Sequence, residues 1–393
     1  TEYLAKDDEA LGSNVTYQVG NGFTFATQDG RFALTIGGMF KFGFQSVNRD
    51  RNPFGCDDCP TNLPTGSKLP SRDYISRRDV NNFGMDNRFR FQGNAFDPDL
   101  TFYFEFTTYD DSLSLFEGWV NYNMDDMFNV KVGQQRVPTG RQALIHQSDL
   151  SFGNRAWESI GAYGVNAGWA IPALDSGTMY GVTQDLGISI HNRYDDLTDT
   201  MGDEGLAVEY IFGLYNGALA ENNNWVAPAF RLAVHPFGYV PYTEGDWSGD
   251  ASPKLAIGVN YGSDKGVPHS DEVTTFYSWD AVMTMSGAYV TGEYHVNSYK
   301  SSTVSRTKQR SWFVAAGYMV MPQELEVMLR YSTLGTEDPW LTQEWSFGTA
   351  YYFEGHHLKA IFEIGQQVTE APSGSSLDDA KTGFFRLTFQ LEW

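Results

Sequence analysis

The last eleven residues, Gly383 to Trp393, constrain the fold more tightly than any other stretch. From Phe385 onward every second residue is apolar: Phe385, Leu387, Phe389, Leu391 and Trp393. Between them lie Arg386, Thr388, Gln390 and Glu392. A β-strand has a side-chain period of two, so one face is wholly apolar and the other wholly hydrophilic. Two architectures use such a strand. A soluble sandwich buries the apolar face, and a membrane-spanning barrel turns it outward to lipid. The rest of the chain chooses between them.

The pattern recurs along the sequence. Phe32, Leu34, Ile36, Phe40, Phe42 and Phe44 share one face of a segment running to Ser46. Leu100, Phe102, Phe104 and Phe106 oppose Thr101, Tyr103, Glu105 and Thr107. Leu325, Val327, Leu329 and Tyr331 oppose Glu326, Met328 and Arg330. Further strands are predicted near 88–92, 114–123, 128–133, 182–194, 205–216, 225–235, 254–262, 274–285, 287–298, 310–320, 342–353 and 357–367. The tally is about sixteen, an even number, as is usual for bacterial single-chain barrels.

Connection lengths sort by side. Asp97–Asp99, Met124–Asp126, Ser286–Gly287, Met321–Gln323 and Glu354–His356 are short. The alternate joins, 47–80, 134–181, 263–273, 299–309 and 368–381, are long and polar. Short turns at one end and long loops at the other mark an outer-membrane barrel, whereas a sandwich has no reason to sort them. Segments 195–204 and 236–253 break the rule, being long where turns should be short. In hydrocarbon every backbone N–H and C=O must be paired, so an edge-free barrel is the β-architecture that can span. Trp225, Tyr261, Trp312, Tyr318, Tyr351 and Phe353 flank strand ends and are expected to form interfacial girdles. The expectation is an all-β, 16-stranded antiparallel transmembrane β-barrel over 32–393. Residues 1–31 are expected to form an N-terminal periplasmic segment.

Composition agrees. Of 393 residues, 28 are Phe, 22 Tyr and 10 Trp. No apolar run reaches the length of a transmembrane helix. The mean hydropathy of −0.38 does not oppose a barrel, whose membrane signal hides in alternation. No basic-then-apolar leader opens the chain, so Thr1 reads as the start of a processed protein. The formal charge of −22 excludes nonspecific nucleic-acid binding, which needs a basic patch. Cys56 and Cys59, in a loop rich in Pro, Gly and Asp, are expected to form a small disulfide in an oxidising compartment rather than a metal or redox site.

The terminal strand ending in Trp resembles the last strand of bacterial outer-membrane barrels. Two further stretches resemble the phosphate-selective porin family, the outer-membrane porins O and P and their relatives. One is Lys131-Val132-Gly133-Gln134-Gln135-Arg136-Val137-Pro138-Thr139-Gly140, followed by Gln147 to Arg155. The other is Gly213-Leu214-Tyr215-Asn216-Gly217 with Arg231 to Gly238. The resemblance implies a sixteen-stranded channel, usually a homotrimer, with the long loop after the fifth strand folded inward to narrow the pore. Here that loop is 134–181, and Arg136, Arg141, His146 and Arg155 are candidates for the constriction. An equal alternative is that Arg141 and Arg155 tie the loop to the wall. Phosphate-type members carry an Arg-Arg pair entering the second strand, where this chain has Met85-Asp86; Arg77-Arg78 lies upstream and substitutes only if that strand begins earlier. The resemblance therefore implies a general or differently selective pore.

The expected function is a diffusion channel for small hydrophilic solutes or ions in the bacterial outer membrane, among lipid and lipopolysaccharide. Lys41, Arg88, Arg90, Lys131, Arg231, Lys254, Arg330, Lys359 and Arg386 fall on inward faces, against Glu105, Glu293, Glu326 and Glu363. A basic lumen favours anions. The alternative is a structural or adhesive barrel with a closed lumen. No enzyme is expected: there is no G-x-S-x-G or H-E-x-x-H. No cofactor is expected either, although Asp50, Asp57 and Asp58, or Asp195, Asp196 and Asp199, offer hard oxygens that suit Ca²⁺.

Overall fold

A computed structural model of the chain describes residues 13–49, 79–109, 112–156, 184–192, 205–217, 226–265, 273–300, 307–336, 341–370 and 379–393. Two short strands, β1 (Ser13–Gln18) and β2 (Gly22–Thr27), pair as a hairpin. Sixteen longer strands follow. They are β3 (Ala33–Arg49), β4 (Asp79–Ala95), β5 (Asp97–Tyr109), β6 (Ser112–Asp125), β7 (Phe128–Arg136), β8 (Gln184–His191), β9 (Ala207–Tyr215) and β10 (Ala227–His235). Then come β11 (Lys254–Lys265), β12 (Val273–Met285), β13 (Ala288–Lys300), β14 (Thr307–Met321), β15 (Leu325–Thr336), β16 (Leu341–Glu354), β17 (Leu358–Thr369) and β18 (Ala380–Glu392). From β3 on, each strand pairs antiparallel with the next, and β18 pairs back onto β3. The sheet is a closed barrel, without the exposed edge that a terminal strand presents in a sandwich.

The seam has its own local chemistry. Ala33–Ile36 of β3 pair with β2, whereas Met39–Arg49 pair with β18. Between the two regions, Gly38 and Trp393 exchange both backbone hydrogen bonds, at 2.8 and 2.9 Å. A Cβ on Gly37 would stand 2.4 Å from the Asn21 carbonyl oxygen, so only glycine lets the hairpin and the seam meet there.

The wall inverts the burial of a soluble protein. Leu329 is 60% exposed and Val314 46%, while Arg231, Lys359 and Glu209 are 0% exposed. An outer face this apolar is stable only against another apolar phase, and a lipid bilayer supplies one. Outward rings form a lateral run over β9–β14. Phe212 meets Phe230 at 6.1 Å, Phe230 meets Tyr261 at 5.6 Å, and Trp279 meets Tyr294 at 5.4 Å. Trp312 then meets Tyr331 of β15 at 5.3 Å. At the opposite end Tyr318, Tyr351 and Phe353 are also exposed. Of the expected girdle residues, Trp225 lies outside the described residues.

One feature of the wall was not visible as alternation. Glu105 pairs with Glu117 and Phe106 with Leu115, leaving Phe116 as the extra residue of a β-bulge. A bulge re-aims neighbouring side chains. Phe116 here sits under the Arg88 guanidinium, 4.2 Å from ring centre to Cζ, while Glu117 accepts from Arg136.

The two exceptions to loop sorting have different outcomes. Segment 195–204 lies outside the described residues. Segment 236–253 is not an oversized turn on the surface. From the turn end of the barrel it folds inward, where Asp246 accepts from the Gly287 amide at 2.7 Å and Trp247 packs on Tyr352.

Candidate functional site

The segment that follows β7 also runs inside the barrel. Over residues 137–156 it is almost wholly buried and contains one helical turn, α1 (Arg141–Leu144). Its partners surround it. His146 reaches Glu105 on β5 at 2.9 Å, the Thr139 carbonyl takes a bond from Ser278 on β12 at 2.6 Å, and the Gln142 amide donates to Glu293 on β13 at 2.5 Å. Arg330 on β15 donates to the Asn154 carbonyl at 2.7 Å, the Gly153 amide donates to Glu363 on β17 at 3.1 Å, and Lys41 on β3 donates to the Gly153 carbonyl. Strands on opposite sides of a ring can share one short segment only through its interior. The inward-folded loop expected between 134 and 181 is therefore present over its described part.

The second inward segment, 236–253, docks against the first. Arg141 donates to the Val240 carbonyl at 3.2 Å and to that of Pro241, and lies over the Tyr242 ring at 4.5 Å. Glu244 accepts from the Gln142 side chain at 2.7 Å and from the Ser151 amide at 2.9 Å. Burial raises the Asp149 carboxyl and the Tyr242 hydroxyl above their ordinary pKa values.

Lys359, on β17, joins the two. Its Nζ lies 2.6 Å from the Ser148 carbonyl, 2.6 Å from the Leu150 carbonyl and 2.8 Å from His356 Nδ1. Three acceptors suit the three N–H groups of an ammonium. His356, in the turn after β16, then has Nε2 to donate to the Glu244 carbonyl at 3.0 Å. One wall lysine thus holds the first segment directly and the second through a histidine.

The expected site residues fall into three groups. Arg88, Arg90, Lys131, Arg231 and Arg330 project inward from the wall. Arg88 bridges Asp86 at 3.0 Å and Glu105 at 2.8 Å, and Arg90 bonds Glu392 at 3.0 Å. Lys131 stands 4.4 Å over the Trp119 ring, and Arg330 4.3 Å over Phe152. Arg231 is the most enclosed, bonding Glu209 at 2.6 Å, Asp280 at 2.5 Å, Asn260 at 3.0 Å and Tyr242 at 2.9 Å. Arg136 closes the end of β7 by bonding Glu117 and the Leu144 carbonyl. Arg155 donates to the Gln142 and Ile145 carbonyls and to the Gln147 side chain, so it fastens the loop to itself. Arg141 hydrogen-bonds the loop to the second inward segment. Cys56, Cys59 and the acidic positions suited to Ca²⁺ lie outside the described residues.

The inward charge balance needs correction. Asp86, Glu117, Glu209, Asp280, Glu344 and Glu392 are buried or half-buried on inward faces besides the four glutamates expected there. The inward wall is therefore not predominantly basic. Most of these carboxylates stand in phase with the arginines, at even spacing along the strands, and a complete tally of that face finds them. Lys359 was placed inward by the sequence, but its hub role was not legible, because all its partners come from loops.

Two clefts flank the first inward segment. One, of about 330 Å³, is lined by Lys41, Asp86, Arg88, Gln147, Asn154 and Arg386 among others. The other, of about 320 Å³, lies on the β5–β7 side among Glu117, Lys131, Arg136, His146 and Asp149.

A closed wall, apolar outside and charged inside, with a loop folded into its lumen, is the architecture of a known class. The fold is that of an outer-membrane porin. An anion-selective porin from Comamonas acidovorans superposes with a TM-score of 0.58 at 12% identity, over 92% of this chain and 99% of that one. The outer membrane channel DcaP of Acinetobacter baumannii gives 0.56 at 10% identity, over 92% and 97%. The trimer form of OmpT, an outer membrane protein of Vibrio cholerae, gives 0.51 at 12% identity, over 92% and 99%. No family model and no curated protein sequence matches the chain.

Proposed function

We propose that this chain is a non-enzymatic diffusion channel of the bacterial outer membrane, passing small hydrophilic solutes or ions and preferring anions. The observation that carries the reading is the pair of clefts between the inward segment and the wall of a barrel whose exterior is apolar. A cleft of about 330 Å³ has room for roughly ten waters at the liquid's share of volume. Three of its lining residues, Lys41, Arg88 and Arg386, are basic, and one, Asp86, is acidic. A passing ion meets the charge at the narrowest point most strongly, because low-dielectric walls focus the field there. The anion preference therefore rests on this cleft and not on the whole lumen.

The resemblance to the phosphate-selective family fits the inward path of the chain after Gly133; Met85-Asp86 stands where the Arg-Arg pair is expected, but β4 begins at Asp79, directly after Arg77-Arg78, which supplies such a pair in sequence. A homotrimer is supported by a cluster of outward phenylalanines on β3, β4 and β18. In it Phe83 lies 5.4 Å from Phe42 and Phe385 lies 5.5 Å from Phe44.

The second reading, a barrel closed to solutes whose loops bind a partner, is favoured by the segment 236–253 lying across the turn end. Single-channel recording in planar bilayers separates the two: steady steps support a channel, and none supports the closed barrel. In a KCl gradient the wild type is expected to show an anion-side reversal potential. Arg386→Glu is expected to move it toward the cation side, and an unmoved potential refutes the assignment of the cleft.

A further inference from the structure

The outer surface of the barrel carries an asymmetry that neither transport nor closure uses. Asp125 and Glu354 sit at turn ends, paired with outward Phe128 and Leu358, but among the described outward-facing strand side chains toward the loop ends none is Asp or Glu, although the chain as a whole is at −22. The charged ones are Lys265, Lys300, Lys308, Arg310 and Lys381. All five lie at the loop ends of their strands, and four sit on β11, β13 and β14, within the contiguous run β11–β14.

Register brings these four together. Lys265 pairs with Val273, and Val273 pairs with Lys300, so the two lysines stand side by side across one strand, about 10 Å apart at the usual strand spacing. Lys308 pairs with Ser298, diagonally beside Lys300 on the same face, and Arg310 pairs with Val296, one outward position further toward the barrel's middle. The aromatic run lies toward the barrel's middle: Tyr261 four residues below Lys265, Tyr294 six below Lys300, and Trp312 two from Arg310. Rings of this kind settle at the level of lipid headgroups. The cations therefore stand at headgroup height, as Arg310 does, or above it on the loop side. At that height the available anions are lipid phosphates, which ammonium and guanidinium groups bind as point charges and bidentate forks.

We infer that the loop-end rim of β11–β14 is a docking surface for the phosphorylated headgroup of a glycolipid in the leaflet it faces. The spacing of the row suits a headgroup carrying two phosphates. The inference rests on the outer-membrane reading above.

The test uses the full chain in mild detergent and the combined variant Lys265→Gln, Lys300→Gln, Lys308→Gln and Arg310→Gln. Binding of bisphosphorylated lipid A, its dephosphorylated form and phosphatidylglycerol is measured by native mass spectrometry. Wild type is expected to bind bisphosphorylated lipid A best, and the variant at least about fivefold more weakly, as loss of surface cations near lipid phosphate implies. Equal binding by variant and wild type overturns the inference. Equal binding of phosphatidylglycerol and lipid A by wild type overturns the glycolipid assignment in favour of any anionic lipid. Folding is checked by the heat-dependent gel shift. If the combined variant fails that check, Lys300→Gln with Lys308→Gln carries the same expectation. Conductance in phosphatidylcholine bilayers free of glycolipid tests the channel reading separately.

Discussion

Replacing Lys359 with methionine is the sharpest test of how the lumen is kept narrow. The substitution preserves length and apolar stem and removes the Nζ that faces the Ser148 carbonyl, the Leu150 carbonyl and His356 Nδ1. The Ser148 carbonyl keeps a second donor, the Gln390 side chain at 3.0 Å. Leu150 and His356 are then the acceptors that lose this donor. A buried acceptor stripped of its partner costs about 1–3 kcal/mol, so the loss is roughly 2–6 kcal/mol. That cost falls on the inward segments and not on the strand ladder, which keeps all its backbone bonds. The barrel is expected to stay folded by its heat-dependent gel shift while residues 137–156 sample released positions. About 3 kcal/mol is a shift of over a hundredfold in that local equilibrium. Single-channel records are expected to show larger mean conductance with added current noise, and limited proteolysis to reach the segment. If conductance, noise and protease resistance all match wild type, Lys359 does not hold the segment and the account of the constriction is wrong.

Two further outcomes follow from the same interior. Burial, and then the Lys359 charge, hold the His356 imidazole well below its ordinary value of 6.5. Its contribution is therefore fully present above 6.5 and is lost as pH falls through the lower folded value. The groups facing it are Lys359, Trp247, Tyr352 and the Glu244 carbonyl. His357 beside it has the opposite sign: its bond to Glu392 raises it, so its contribution is present below 6.5 and fades as pH rises. Acid-induced noise in single-channel records is expected for wild type and is expected to be absent in His356→Gln; equal noise in both refutes the assignment. Arg231→Met leaves Glu209 and Asp280 buried without their shared counter-charge, at a cost of about 3–5 kcal/mol. A clear drop in the temperature of the gel shift is expected, and an unchanged temperature contradicts the enclosure of Arg231.

The wall was legible because lipid imposes one simple rule on it. Leu325 to Tyr331 and Phe385 to Leu391 alternate without error, since each outward position must be apolar and each inward one meets water or a partner. The start of β4 was less legible. Asn82, Gly84 and Asp86 weaken the contrast with Phe83 and Met85, so the strand reads as beginning near Arg88. The bulge at Phe116 was hidden for a similar reason, because one extra residue shifts phase without changing composition. Arg141 and Arg155 were flagged from their position in the long loop, but their partners are carbonyls of Val240, Gln142 and Ile145. Backbone acceptors leave no mark in a sequence. The path of 236–253 was visible only as a violation of loop sorting, and Trp247 and Glu244 gave no periodic signal of their own.

The seam between β3 and β18 joins partners more than three hundred positions apart. Contacts of such separation close slowly, because so much chain entropy must be surrendered before they form. Until the final segment arrives, β3 and β17 each present an open edge of unmet amides and carbonyls, a template for adhesion to other chains. This polypeptide is therefore expected to require shielding from its own kind throughout its journey, with assembly completed last at the place where its beginning and its end clasp.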